Sequence, residues 1–174
     1  MPLLPIRIFG DPVLRARCAE VETFDDALRR LADDLFDTMR AVSGAAIAAN
    51  QVGVLKRLFV WELDDDRGTF VNPEVVETSE ETQHGDEGCL SFPGLFFPTE
   101  RPLRARLRGL DVHGDLSEEV GEGLRARMLL HELDHLNGIL FIDHLARHDR
   151  KEAMRRIRAG ELEHPPAPSG EAIG

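Results

Sequence analysis

No stretch of this 174-residue sequence is apolar over the roughly 20 residues that a bilayer crossing needs, so no membrane partner is expected. The opening MPLLPIRIFG holds two prolines and no basic region ahead of an apolar run. It does not read as a secretory signal, and a cytoplasmic protein is expected. Cysteine is scarce: Cys18 and Cys89 are the only two, far apart in the chain. That argues against a disulfide framework and for a metal-binding or catalytic thiolate. Positive charge is also short, with 21 Lys and Arg against 32 Asp and Glu and a net charge of −11. Phosphate neutralisation needs clustered cations, so specific DNA binding is not expected and any contact with RNA must be local.

What is present fits one globular domain: 42% apolar and 30% charged residues in a length that supports a single core. The domain is expected over residues 1–163, with 164–174 (HPPAPSGEAIG after Glu163) a disordered tail. GDPVLR at 10–15 reads as a turn leading into an extended arm. Residues 25–42 carry Leu28, Leu31, Leu35, Met39 and Val42 at spacings of three and four, the mark of a helix with one apolar face. Thr23 is placed to cap its start and Ser43-Gly44 to stop it. Residues 55–63, TFVNP, 74–82 and 103–112 read as strands, the last alternating Leu103, Ala105 and Leu107 with arginines. Helical character returns over 123–138 and 147–159. The order helix, strands, helix, helix predicts an α+β fold.

HELDH at 131–135 places His131 and His135 one helical turn apart, able to aim both imidazoles at one ion, with Glu132 about 100° round the helix. Leu129, Leu133 and Leu136 face the other way and would anchor the helix. The plain alternative is a buried amphipathic helix whose histidines share a face by chance. A catalytic metal wants a third protein ligand and an open position. Cys89, in DEGCLS, is the leading candidate, with Gly88 beside it allowing unusual backbone geometry; otherwise Cys89 is a small buried hydrophobe. A third segment, GAAIAANQVG at 44–53, combines small residues with the amide of Gln51.

Together these segments resemble the peptide deformylase family, which carries a Gly-rich segment ending in AAxQ, then EGCLS, then HExDH. Here they are GAAIAANQ (44–51), EGCLS (87–91) and HELDH (131–135), with GDPVLR, Asn72-Pro73 and LxGILFID (136–143) extending the likeness over most of the chain. The resemblance implies antiparallel strands packed around a central HExxH-bearing helix, with an N-terminal and a C-terminal helix. It implies a hydrolase that removes the N-formyl group from N-formylmethionyl peptides. It also implies one divalent ion, natively Fe²⁺, with Zn²⁺, Ni²⁺ or Co²⁺ able to take its place, held by Cys89, His131 and His135. Glu132 would move the proton, Gln51 and the Leu90 backbone N–H would meet the oxyanion, and Gly44 and Ala46 would border the substrate. The basic stretch Arg147, Arg150, Lys151, Arg155, Arg156 and Arg158 resembles a ribosome-docking element. Two departures stand out: Ala46 replaces a usual Gly, so its methyl is expected to crowd the substrate, and Leu130 replaces a common Gln. The rival readings are a zinc endopeptidase with Glu152 as third ligand, and a closed structural site with His84 or Cys18 as fourth.

Overall fold

A computed structural model of the chain describes residues 3–162, and the predicted tail lies outside the described residues. The first helix, α1 (Asp26–Ala41), buries Leu28, Ala32, Leu35 and Met39, as its apolar spacing predicts. Its cap is Asp25 and not Thr23. Asp25 sits directly before the first helical residue with extended backbone, and its Oδ1 accepts the Leu28 N–H at 3.0 Å. After α1, Ser43 takes the left-handed conformation (φ 56°) and the Gly44 N–H closes back on the Met39 carbonyl at 3.0 Å.

The strands follow as β1 (Ala46–Ala48), β2 (Leu58–Leu63), β3 (Asp66–Thr78), β4 (Thr82–Gln83), β5 (Asp86–Gly88), β6 (Phe96–Pro98), β7 (Arg101–Pro102), β8 (Arg104–Leu110) and β9 (Leu116–Glu122). The helices α2 (Leu124–Leu136) and α3 (Arg147–Arg158) complete the order, and GDPVLR forms a 3-10 turn at Pro12–Arg15 where an arm was expected. The main sheet has five antiparallel strands in the order β1-β2-β3-β8-β9, while β4 pairs β7 and β5 pairs β6.

TFVNP and the first part of the expected strand 74–82 prove to be one strand, which ends at Thr78, and Thr82 belongs to β4. β3 pairs with β2 up to Val71 and with β8 from Val71 to Thr78. The join is a bulge at Asn72 (φ 51°), where Pro73 needs no ladder N–H. Asn72 fixes the bulge by exchanging hydrogen bonds with the Val21 backbone, at 2.8 and 3.0 Å.

The sheet is covered on both faces. Leu58, Val60, Val71 and Ile47 pack against α1, whereas Phe59, Trp61, Phe70, Ala105 and Leu107 pack against Met128, Leu129, Leu133 and Leu136 of α2. That is why LFVWEL reads as a continuous apolar run and not as an alternation. A third apolar cluster joins Phe92, Leu95 and Phe97 to Phe141, Ile142 and Ala153, and Cys89 belongs to it. The fold is α+β, with the HELDH helix at its centre.

Candidate metal centre

Three separate segments converge beside α2. The 3-10 turn Ala49–Val52 supplies Gln51, the residue after β5 is Cys89, and α2 supplies His131, Glu132 and His135. The end of α2 is held by donors to its last carbonyls, groups that a helix terminus leaves without partners. Asn50 Nδ2 donates to the His135 carbonyl at 2.7 Å, and Arg57 Nη1 and the Cys18 N–H donate to that of Leu136 at 3.0 and 2.9 Å. Asn50 therefore ties the backbone of His135 to the turn that carries Gln51.

On the other side, Gly88 pairs with Phe96 across β5 and β6. Its φ is not positive, contrary to the expectation of unusual backbone geometry. Glycine is favoured there because a Cβ would collide with one edge of the Phe96 ring. Gly44 lies close to Leu90: a Cβ there would be 2.9 Å from Leu90 Cδ1, the movable end of a partly exposed side chain.

Among the described residues, one group of His, Cys, Asp or Glu atoms lies close enough to share an ion: Cys89, His131 and His135, all buried and within 4.8 Å of one another. Cys89 Sγ is 3.3 Å from His135 Nε2, which is 3.2 Å from His131 Nε2. Tetrahedral bonds of about 2.0–2.3 Å would separate such ligand atoms by roughly 3.3–3.6 Å, so the donor set fits a metal. The electrostatics fit as well. Burial opposes a charge on His131, yet Cys89 and Glu87 hold its imidazole well above the ordinary histidine value, so the pocket favours a cation.

Glu132 is completely buried, and neither carboxylate oxygen has a hydrogen-bond partner among the described residues. Burial, opposed in part by His131, pushes its pKa up to about 7. Gln51 is also fully buried. Its Oε1 accepts the Ala48 N–H at 2.9 Å, which turns Nε2 toward Ser91 Oγ (3.1 Å) and Cys89 Sγ (3.6 Å). Leu90 and Gly44 are partly exposed.

Ala46 corrects an expectation. It has no exposed surface, pairs with Trp61 and belongs to the core packed on α2, so its methyl is taken up by packing and does not stand in an open cleft. Leu130 likewise packs in that core.

The rival ligands lie elsewhere. Glu152 on α3 is bonded to Arg155 at 2.8 and 2.6 Å, and His84 is exposed. Cys18 is in the core beneath α2, where burial raises its pKa to about 11.

Sequence reasoning missed the support behind His131. Glu87, fully buried, takes His131 Nδ1 at 2.7 Å and is gripped by Arg101 Nε (3.0 Å) and Nη2 (2.7 Å) and by Arg127 Nη1 (2.9 Å). Against the upward push of burial, His131 and Arg101 hold the Glu87 carboxyl well below the usual range. Arg101 Nη1 also reaches Asp134 Oδ2 at 2.7 Å, so Asp134 helps to orient this buried arginine. The signal for Glu87 was its place in DEGCLS; Arg101 has no local signature.

Comparison with known proteins bears on the family and the fold. A family model described as polypeptide deformylase matches residues 3–151. The peptide deformylase of Parafrankia sp. (strain EAN1pec) is 47% identical over 170 residues, covering 97% of this chain and 93% of that protein. That of Acidothermus cellulolyticus is 48% identical over 161 residues, 92% and 89% of the two chains. The crystal structure of a peptide deformylase from Legionella pneumophila superposes with a TM-score of 0.87 at 36% identity, covering 96% of this chain and all of that one (100%). The Ehrlichia chaffeensis peptide deformylase in complex with actinonin gives 0.87 at 36% identity, covering 92% and 99%.

Proposed function

Because the chain belongs to the polypeptide deformylase family, a family of metal-dependent hydrolases, we propose the following roles for its individual residues. The reaction is hydrolysis of the N-formyl group of formylmethionine at the start of new polypeptides, releasing formate. Cys89 Sγ, His131 Nε2 and His135 Nε2 hold one divalent ion, with Fe²⁺ the native choice on family resemblance. The same thiolate and imidazole donors also accept Zn²⁺, Ni²⁺ or Co²⁺. When bound, such an ion polarises the formyl carbonyl and lowers the pKa of water toward neutrality.

Glu132 takes the proton of the attacking water as the new C–O bond forms, then delivers it to the amine as the C–N bond breaks. A pKa of about 7 suits a group that must both accept and donate near neutral pH. Gln51 Nε2 and the Leu90 N–H donate to the developing oxyanion, each worth about 3 kcal/mol in a preorganised site. Gly44, partly exposed, borders the peptide, and the fully buried Ala46 takes no direct part. The basic α3 contacts the ribosome where new chains emerge, which also argues for a cytoplasmic enzyme.

The observation that carries this reading is the meeting of Cys89, His131 and His135 within 4.8 Å, beside a buried Glu132 with no hydrogen-bond partner among the described residues. Its test is anaerobic assay of the Fe²⁺-loaded protein on formyl-Met-Ala-Ser. Formate should be released, Glu132→Gln should be about 10²- to 10⁴-fold slower with metal retained, and Cys89→Ala should lose the metal. A wild-type protein that binds metal and releases no formate would sink the reading.

A further inference from the structure

Arg57, Glu87, Arg101 and Arg127 are buried charged groups that the mechanism does not use. Arg127 is 3% exposed and lies one helical turn before His131 on α2, so the two side chains leave the same face of the helix. Both end on Glu87. We propose that Arg127 is a positioning residue for the metal ligand His131, acting through the Glu87 carboxylate; this rests on His131 being a ligand.

The division of the two Glu87 oxygens makes the case. Oε1 receives Arg101 Nε at 3.0 Å and Arg127 Nη1 at 2.9 Å. Oε2 receives Arg101 Nη2 at 2.7 Å and lies 2.7 Å from His131 Nδ1. A carboxylate has about four lone-pair positions, and here all are taken, so it cannot turn. With Arg127 fastening Oε1, Oε2 stays on His131. Glu87 then holds the proton on Nδ1 and leaves the Nε2 lone pair facing Cys89 and His135.

Arg127 Nη1 makes a second contact of the same kind, donating to the Thr99 carbonyl at 2.8 Å. The Thr99 N–H in turn reaches the Gly85 carbonyl at 2.9 Å. Gly85 precedes β5 and Thr99 follows β6, so one guanidinium nitrogen ties α2 to both ends of the hairpin that leads into Cys89. The distance between the cysteine ligand and the histidine ligands is therefore set partly by Arg127. Its other terminal nitrogen, Nη2, is buried with no hydrogen-bond partner among the described residues. A buried guanidinium left half satisfied is poor value for stability alone, where an apolar side chain of similar size would serve as well.

Cobalt binding tests the inference. Apo protein is titrated with Co²⁺, affinity is measured by competition with a chelator, and the absorption spectrum at saturation reports the ligand geometry. Arg127→Met keeps the apolar stem and removes the donors. It should weaken Co²⁺ binding by about ten- to hundredfold and alter the saturated spectrum, with Arg127→Lys lying between it and wild type. In the Co²⁺-saturated enzyme kcat should fall while KM for formyl-Met-Ala-Ser holds, because Arg127 does not meet the peptide. A residue with only a structural role would lower the melting temperature of the apo protein and leave affinity and spectrum alone. That result in Arg127→Met would overturn the inference. If Arg127→Met does not fold, Arg127→Lys decides it: weaker cobalt binding supports the role and wild-type binding overturns it. Failure of the wild type to bind Co²⁺ would overturn the metal reading beneath it, a result distinct from wild-type-like behaviour of the variants.

Discussion

A carboxylic acid buried without a partner is disfavoured as an anion, and Glu132 carries that burden at the centre of the molecule. Its folded-state pKa, about 7, lies above the ordinary value of 4.5, so folding favours the protonated form. At pH below the ordinary value both states are protonated and the acid costs nothing as a charge. As pH rises through 4.5 toward 7 the unfolded chain ionises first, and the native state loses stability. Metal-free Glu132→Gln should therefore be more stable than metal-free wild type at about pH 8, by up to roughly 3 kcal/mol, and no more stable at about pH 4. Paired thermal melts at the two pH values check this, and a difference that stays constant with pH would refute it. The same residue shows what was legible. The types and spacing of Cys89, His131, Glu132 and His135 are restricted by the chemistry they serve, so they stand out in a bare sequence. Arg101 and Arg127 are generic as residues; only the fold brings both to Glu87.

Elements repeat this contrast. α1, covered on one face only, announces itself by its apolar spacing, and β8 by its alternation. β9 was not anticipated because it is an edge strand: Gly121 alone is buried, and Leu116 and Val120 are 84% and 63% exposed. β3 was divided in two because Asn72-Pro73 looks like a stop, and only pairing with β8 carries the strand past it. The short β5–β6 hairpin had no readable pattern, yet it positions Cys89 through the contact of Gly88 with Phe96. Gly88→Ala should push the Phe96 ring aside, cost about 1–3 kcal/mol in denaturant unfolding and weaken metal binding at the adjacent cysteine. Adding Phe96→Leu, which removes the obstructing ring, should restore part of both losses. If Gly88→Ala unfolds and binds metal like wild type, the close approach is not what fixes glycine there.

At the scale of the whole molecule the charge is divided unevenly. The chain carries a net −11, yet the twelve residues of α3 hold six basic side chains against two acidic ones. Only Ala153 of this helix is buried, and Arg147, Arg150, Lys151, Arg155 and Arg158 are exposed. An acidic body repels phosphate, so the ribosome contact proposed for this helix would be local and would weaken with salt, over about a Debye length, roughly 8 Å at physiological ionic strength. Arg155 is committed to Glu152, at 2.8 and 2.6 Å, and Arg156 to Glu161 through its Nε. Arg147, Lys151 and Arg158 are therefore the cations to remove. Replacing these three with alanine should weaken ribosome binding and reduce the slope of log affinity against log salt by about two. Formate release from a free formylated tripeptide should be unchanged, since none of the three belongs to the cluster around Cys89, His131 and His135. Co-sedimentation with ribosomes over a range of salt concentrations measures both quantities. If the triple variant sediments like wild type with the same salt slope, the basic face of α3 is a solvated surface and no docking element.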